Sequence, residues 1–183
     1  MNKIFLLIII SIALTACQRN HKIKEYSDWN QINEWSFNGK MAINDKKNNG
    51  SGRVQWNIKP HFIKAQFKTL LGFGGNWTLT ETDKQAQLES SQNGVSIAEN
   101  AEQLIANELG WHFPWKSLQY WVRGYKTDHP LITHKQLPTI IYDNDWEITY
   151  QKWTYTRLGL LPKKIKATKD NYSIKLIIYN WNF

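Results

Sequence analysis

Residues 35–43 read Trp-Ser-Phe-Asn-Gly-Lys-Met-Ala-Ile, and residues 54–58 read Val-Gln-Trp-Asn-Ile. In the first stretch Trp35, Phe37, Gly39, Met41 and Ile43 alternate with polar residues; in the second, Val54, Trp56 and Ile58 do the same. A period of two puts every second side chain on one face, which is the pattern of a half-buried strand. The cluster Asp45-Lys-Lys-Asn-Asn-Gly50 between them is turn chemistry. Ile63, Ala65 and Phe67 repeat the alternation after Pro60. These residues predict an antiparallel meander with one apolar face.

Downstream, Thr69 to Gly75 mixes turn glycines with Leu70, Leu71 and Phe73 and reads as a loop. Short strands are expected at 77–81, 85–89 and 95–97. A helix follows from Ala98 to Leu109, with Ala98, Ala101, Leu104, Ile105 and Leu109 on one face and Glu99, Glu102 and Glu108 on the other. Gly110 stops it. Pro114 opens a second helix that carries Leu118, Trp121 and Val122 inward and ends by Gly124. Asp28 caps a further short helix in which Trp29, Ile32 and Trp35 share a side. The last third returns to strands at 139–142, 146–151, 163–168 and 172–181. The near-continuous apolar run Ile174, Leu176, Ile177, Ile178, Tyr179 predicts a final strand covered on both faces. The result is one many-stranded antiparallel sheet interrupted by helices, and such a sheet tends to curl.

Upstream, Lys3 and the apolar run Ile4–Leu14 form a secretion signal, too short for the ~20 residues of a spanning helix. The run ends in Leu14-Thr15-Ala16-Cys17, a lipobox in which the cysteine thiol is diacylglycerated and the signal is cut before it. The division expected is a lipoprotein signal peptide at 1–16, a lipid anchor and flexible tether at 17–27, and one domain at 28–183. Gln18 stands where an aspartate would hold a lipoprotein in the inner membrane, so the outer membrane is the expected site. Cys17 is the chain's one cysteine, which excludes an intramolecular disulfide framework and a multi-cysteine metal site.

The chain has 183 residues, 14% of them aromatic, ten tryptophans and a formal charge of +8. That charge suits an anionic partner. Tryptophan with basic residues can stack single-stranded nucleic acid, but a lipid-anchored periplasmic protein rarely meets any, so none is expected as a partner. The histidines His21, His61, His112, His129 and His134 show no metal-ligand spacing; Asp128-His129 with His134 is better read as solvated loop. Gly72-Phe73-Gly74-Gly75 lacks the Lys-Ser/Thr of a phosphate loop. The carboxylates Glu81, Asp83 and Glu89 read as hairpin-rim charges. No catalytic residue, metal or cofactor is assigned, and no enzyme activity is expected.

Three stretches resemble the outer-membrane lipoprotein receptor LolB family: Ala98-Glu-Asn-Ala-Glu-Gln-Leu-Ile105, Gly110-Trp-His-Phe-Pro114 and Ser117-Leu118-x-x-Trp121-Val-Arg-Gly124. Trp146 with Tyr150, Leu161-Pro162-Lys163 and Ile174-Lys-Leu176…Trp181 are similar in order. The family loop usually reads Pro-Leu-Gly; here Leu70 replaces the proline. The resemblance implies a mainly β fold with two or three helices: an unclosed antiparallel barrel of eleven strands with a helical lid over an apolar cavity. It implies a monomer that takes triacylated lipoproteins from the periplasmic carrier LolA and inserts them in the outer membrane without nucleotide. Its partners would be LolA, the acyl chains of the cargo and outer-membrane phospholipids.

On that reading Phe37, Met41, Val54, Trp56, Ala65 and Phe67 line the cavity, and Leu104, Ile105, Leu118 and Trp121 form the lid. Leu70, Leu71 and Phe73 are the membrane-insertion loop, since the family's matching leucine protrudes. Alternation alone favours an ordinary filled core over a cavity, and the resemblance reverses that; Leu71 folded back onto the core is the alternative to a protruding loop. The rival function is an outer-membrane-anchored glycan or peptidoglycan binder, which predicts tryptophans on the solvent side beside carboxylates. A bare scaffolding lipoprotein is a third possibility.

Overall fold

The computed structural model describes residues 32–44, 49–72, 75–112, 114–126 and 137–183, with Leu71 and Gly72 given by their backbone. The signal segment, Cys17, the tether, Phe73, His129 and His134 lie outside the described residues. Six strands come first: β1 (Trp35–Asn44), β2 (Asn49–Lys59), β3 (Phe62–Gly72), β4 (Trp77–Thr82), β5 (Ala86–Ser90) and β6 (Gly94–Ala98). Helices α1 (Ala101–Leu109) and α2 (Trp115–Trp121) follow, then β7 (Ile140–Asp143), β8 (Trp146–Thr156), β9 (Gly159–Lys169) and β10 (Tyr172–Asn182).

The strands form one sheet in the order β6-β5-β4-β3-β2-β1-β10-β9-β8-β7, every pairing antiparallel. Pairing of β1 with β10 joins the two halves of the chain in the middle of the sheet, and β6 and β7 are its edges among the described residues. The sheet is therefore open, as a half-barrel is. Ten strands stand among the described residues, against the eleven that the resemblance implies.

Alternation produces the inner face. Trp35, Phe37, Met41 and Ile43 of β1 are buried, with half-buried residues between them. Val54 and Trp56 of β2 and Ala65 and Phe67 of β3 continue the face. Two glycines mark where the sheet bends. A Cβ at Gly39 would overlap the Ile177 carbonyl oxygen, at a register shift in β1; one at Gly52 would overlap the Lys68 carbonyl, at a register shift in β2. Both are bulges at close backbone approaches.

Several expectations are corrected. Trp35 begins a strand, and Ile32 to Glu34 have no regular structure, so the short helix from Asp28 does not extend across the described part of that stretch. Residues 69–72, read as loop, complete β3, because the Gly50–Ser51 backbone of β2 extends far enough to pair with them. Helix α1 starts at Ala101, not Ala98: Ala98 still pairs with Ala86 in the sheet, and Asn100 is the cap. The final strand is covered on one face. Ile174, Leu176 and Ile178 are buried, Ile177 is half-buried and Tyr179 is 53% exposed.

Candidate functional site

The inner face of the sheet is closed over by the two helices. Helix α1 is fixed at its start by the Asn100 side chain, whose Oδ1 accepts the Gln103 N–H at 2.9 Å, one of the donors a helix start leaves unpaired. At its end Gly110 takes a left-handed φ of 67° and donates to the Ala106 carbonyl. The next N–H, of Trp111, returns to Ile105. That turn drives the Trp111 ring into the sheet, 5.8 Å from Phe67 and 6.3 Å from Trp77, edge-on to both.

Helix α2 has seven residues and no side-chain cap, too short to persist without tertiary support. Support comes at both ends from carboxylates of the sheet. Trp115 Nε1 donates to Glu81 Oε2 at 2.6 Å, and Trp121 Nε1 donates to Asp143 Oδ2 at 2.8 Å. Glu81 also accepts the Ala101 N–H through Oε1 at 3.1 Å, so one side chain holds both helix starts. The Tyr150 hydroxyl donates to the Trp121 carbonyl at 3.0 Å. Glu81 lies on β4 and Asp143 on β7, near opposite edges of the sheet. Helix α2 thus spans the open half-barrel as a strap fastened on both sides.

Under the strap Trp56 stacks on Trp115, centroids 4.4 Å apart and planes at 16°, and Trp121 meets Trp146 at 5.7 Å. All ten residues expected at cavity and lid are brought into this one cluster: Phe37, Met41, Val54, Trp56, Ala65, Phe67, Leu104, Ile105, Leu118 and Trp121 are each no more than 2% exposed. Not every polar atom is satisfied there. The indole N–H groups of Trp56, Trp77 and Trp111 are buried without a hydrogen-bond partner among the described residues. Beyond α2, the Arg123 guanidinium lies over the rings of Trp35, Tyr120 and Tyr125 at 5.5–5.7 Å. Burial lowers its pKa, opposed by Tyr125 and Tyr120. Burial pushes the Tyr125 phenol up to about 12, with Arg123 pulling the other way.

Of the loop residues, Leu70 is 50% exposed. The Leu71 backbone lies in β3 opposite Ser51, and Phe73 is outside the described residues. Sequence reasoning missed the two fastening carboxylates. Glu81 read as a rim charge, yet it shares strand parity with the inward-facing Trp77 and Leu79, and that parity was the available signal. For Asp143 the sequence held no comparable sign. Every described tryptophan is buried or half-buried, which leaves the glycan-binding alternative without the exposed platforms it predicts.

A family model described as "Outer membrane lipoprotein LolB" matches residues 33–181. Among similar curated proteins, the "Outer-membrane lipoprotein LolB" of Marinomonas sp. is 29% identical over 155 residues, covering 82% of this chain and 80% of that one. Those of Xylella fastidiosa and Pseudomonas fluorescens are each 28% identical over 155 residues, covering 81% and 82% of this chain and 71% and 75% of theirs. A solved structure of a DUF1329 family protein from Desulfovibrio piger superposes with a TM-score of 0.53 over 86% of this chain and 88% of that one. At 6% identity it shares the fold alone. With an open sheet under a helical strap, the three motif stretches in place and a family match across nearly all of the described fold, the chain belongs to the outer membrane lipoprotein LolB family.

Proposed function

We propose that this chain, lipid-anchored at the outer membrane through Cys17, accepts triacylated lipoproteins from the LolA carrier and passes them into that membrane without nucleotide. At about 0.8 kcal/mol per methylene, exposing three acyl chains to water costs tens of kcal/mol, so each handler must enclose them. The observation that carries the reading is the inner face itself: a continuous apolar, ring-lined surface closed by a short strap that a few polar contacts hold down. Releasing Glu81 and Asp143 would part Trp115 from Trp56 and open that surface to acyl chains. The unpaired indole donors of Trp56, Trp77 and Trp111 support the same reading. Each costs about 1–3 kcal/mol in an apolar core, and the ester and amide carbonyls of an acylated cysteine are acceptors for them. Transfer onward is downhill, because a bilayer solvates acyl chains better than a protein pocket does.

The test uses the mature chain, residues 17–183 with Cys17→Ala released from a cleavable signal, which removes both its own lipid and the apolar signal. A fluorescent fatty-acid probe should bind saturably, compete with a triacylated lipopeptide and alter tryptophan emission. Absence of binding, with the fold intact by circular dichroism, would overturn the proposal in favour of a filled core.

A further inference from the structure

A single register line on the outer face of the sheet collects basic residues from five strands. Lys68 of β3 stands opposite Arg53 of β2, and Arg53 opposite Lys40 of β1. Lys40 stands opposite Ile177 of β10, Ile177 opposite Lys164 of β9, and Lys164 opposite Lys152 of β8. The chain neighbours Met41, Val54, Phe67 and Ile165 are buried, so Lys40, Arg53, Lys68 and Lys164 point outward, and Lys152 sits at a register irregularity of β8 and is exposed. Arg53, Lys68, Lys152 and Lys164 are exposed and Lys40 is half-buried. Lys175 opposite Lys166 adds a pair on the adjoining line.

Like charges directly opposite each other destabilise a sheet. With strands ~4.8 Å apart, neighbours on the line lie well inside the ~8 Å screening length of physiological salt. Among the described residues no ion pair relieves the repulsion. The ion pairs join Lys59 to Glu34, His61 to Asp83 and Lys169 to Asp145, and none includes a member of the line. A cost retained without internal compensation points to an external anion.

The line runs about 24 Å across five strand spacings. Ser51, Gln55, Gln66 and Thr149 border it, polar and uncharged. Its one apolar member, Ile177, is half-buried and outnumbered by five cations, whereas the core of a protein interface is depleted of charge. Mobile anionic headgroups can gather along such a line with no fitted partner surface. At one end, two residues beyond Lys68, Leu70 is 50% exposed. We propose that the outer face of β3-β2-β1-β10-β9-β8 docks on a bilayer of anionic phospholipid, with the line of cations along the headgroups and Leu70 at the interface. This rests on the membrane-facing part of the function proposed above and does not require acyl uptake.

The experiment measures sedimentation of the mature chain, residues 17–183 with Cys17→Ala released from a cleavable signal, with phosphatidylcholine vesicles, with and without phosphatidylglycerol. Binding should need the phosphatidylglycerol and fall with salt. Combined Lys40→Thr, Arg53→Thr and Lys68→Thr should weaken it about 100-fold, about fivefold per cation. A control pair at Lys84 and Lys116, off that face, should change it far less. The line variant should be at least as stable as the parent, since opposed like charges are removed. Lys152→Thr with Lys164→Thr repeats the test on other strands. Equal binding to both vesicle types, or equal loss from the control pair, overturns the proposal. Vesicle binding kept while transfer from the carrier is lost assigns the line to an acidic protein and overturns it too. Acyl-probe binding, measured alongside, should be unchanged by the line variant. Its failure in the parent would sink the cargo reading and leave the vesicle result standing.

Discussion

Glu81 carries more of the closed arrangement than any other polar side chain in the site, because its two oxygens serve two helices. Glu81→Ala leaves the Trp115 indole and the Ala101 N–H without their acceptor, and it should cost about 1–3 kcal/mol in denaturant unfolding. It should also speed acyl-probe entry by loosening the strap, whereas Glu81→Gln, which keeps one acceptor, should do less of both. Parent-like stability and entry in Glu81→Ala would mean that packing alone holds the helices. Tyr125 supplies a pH signature. Its phenol is raised from an unfolded value of ~10 to about 12. The stability this represents is complete below pH ~10 and is lost as pH rises through about 12, since only the unfolded chain readily gives up the proton. Comparing alkaline unfolding of the parent and Tyr125→Phe should show a shallower decline in the variant over that window. Identical slopes would remove Tyr125 from the account.

At the scale of elements, the end of β3 and the strap differ in what holds them. The chain around β3–β4 is tied by side chains: Asn76 Oδ1 accepts the Thr69 N–H at 2.9 Å, the Thr69 hydroxyl donates to the Gly75 carbonyl, and Ser91 Oγ accepts the Asn76 N–H at 3.1 Å. Leu71 enters this base through its backbone pairing with Ser51. Backbone pairing and polar side chains at 69, 76 and 91 make these ties. Leu71→Glu should therefore leave folding and acyl uptake nearly intact while stopping delivery to liposomes. Unfolding, or equal loss of uptake and delivery, would make Leu71 core or cavity wall. The strap is the opposite case. Its seven residues depend on contacts with the sheet, and its stability belongs to β4, β7 and β8 as much as to itself.

For the whole molecule, the open sheet separates two surfaces of contrasting chemistry. Rings and aliphatic residues line the inside, and a line of cations crosses the outside. The described fold begins at Ile32, so fifteen positions separate it from Cys17. Changing that cysteine should not disturb the core. Mass spectrometry of membrane-extracted protein should find an acylated N-terminal Cys17, and a Cys17→Ala form fused to a cleavable signal should be soluble and folded. An unmodified thiol in the membrane fraction would overturn the anchor.

Period-two alternation in 35–43, 54–58 and 63–67 was enough to predict strands and the inner-face residues Phe37, Met41, Val54, Trp56, Ala65 and Phe67. The helical period put Leu104, Ile105, Leu118 and Trp121 on the inward side of the helices, because side-chain periodicity is a local property of the chain. Gly110 and Pro114 marked the helix boundary for the same reason: φ preferences act residue by residue. The order of the strands was not legible. It depends on β1 pairing with β10 across the length of the chain, and no local pattern encodes that. Nor was the single coverage of β10, since an apolar run looks alike whether one face or two are covered. The Glu81 and Asp143 fastenings belong with these. Each is a carboxylate whose partner indole lies more than twenty positions away, so only the folded chain decides whether it is a rim charge or a clasp.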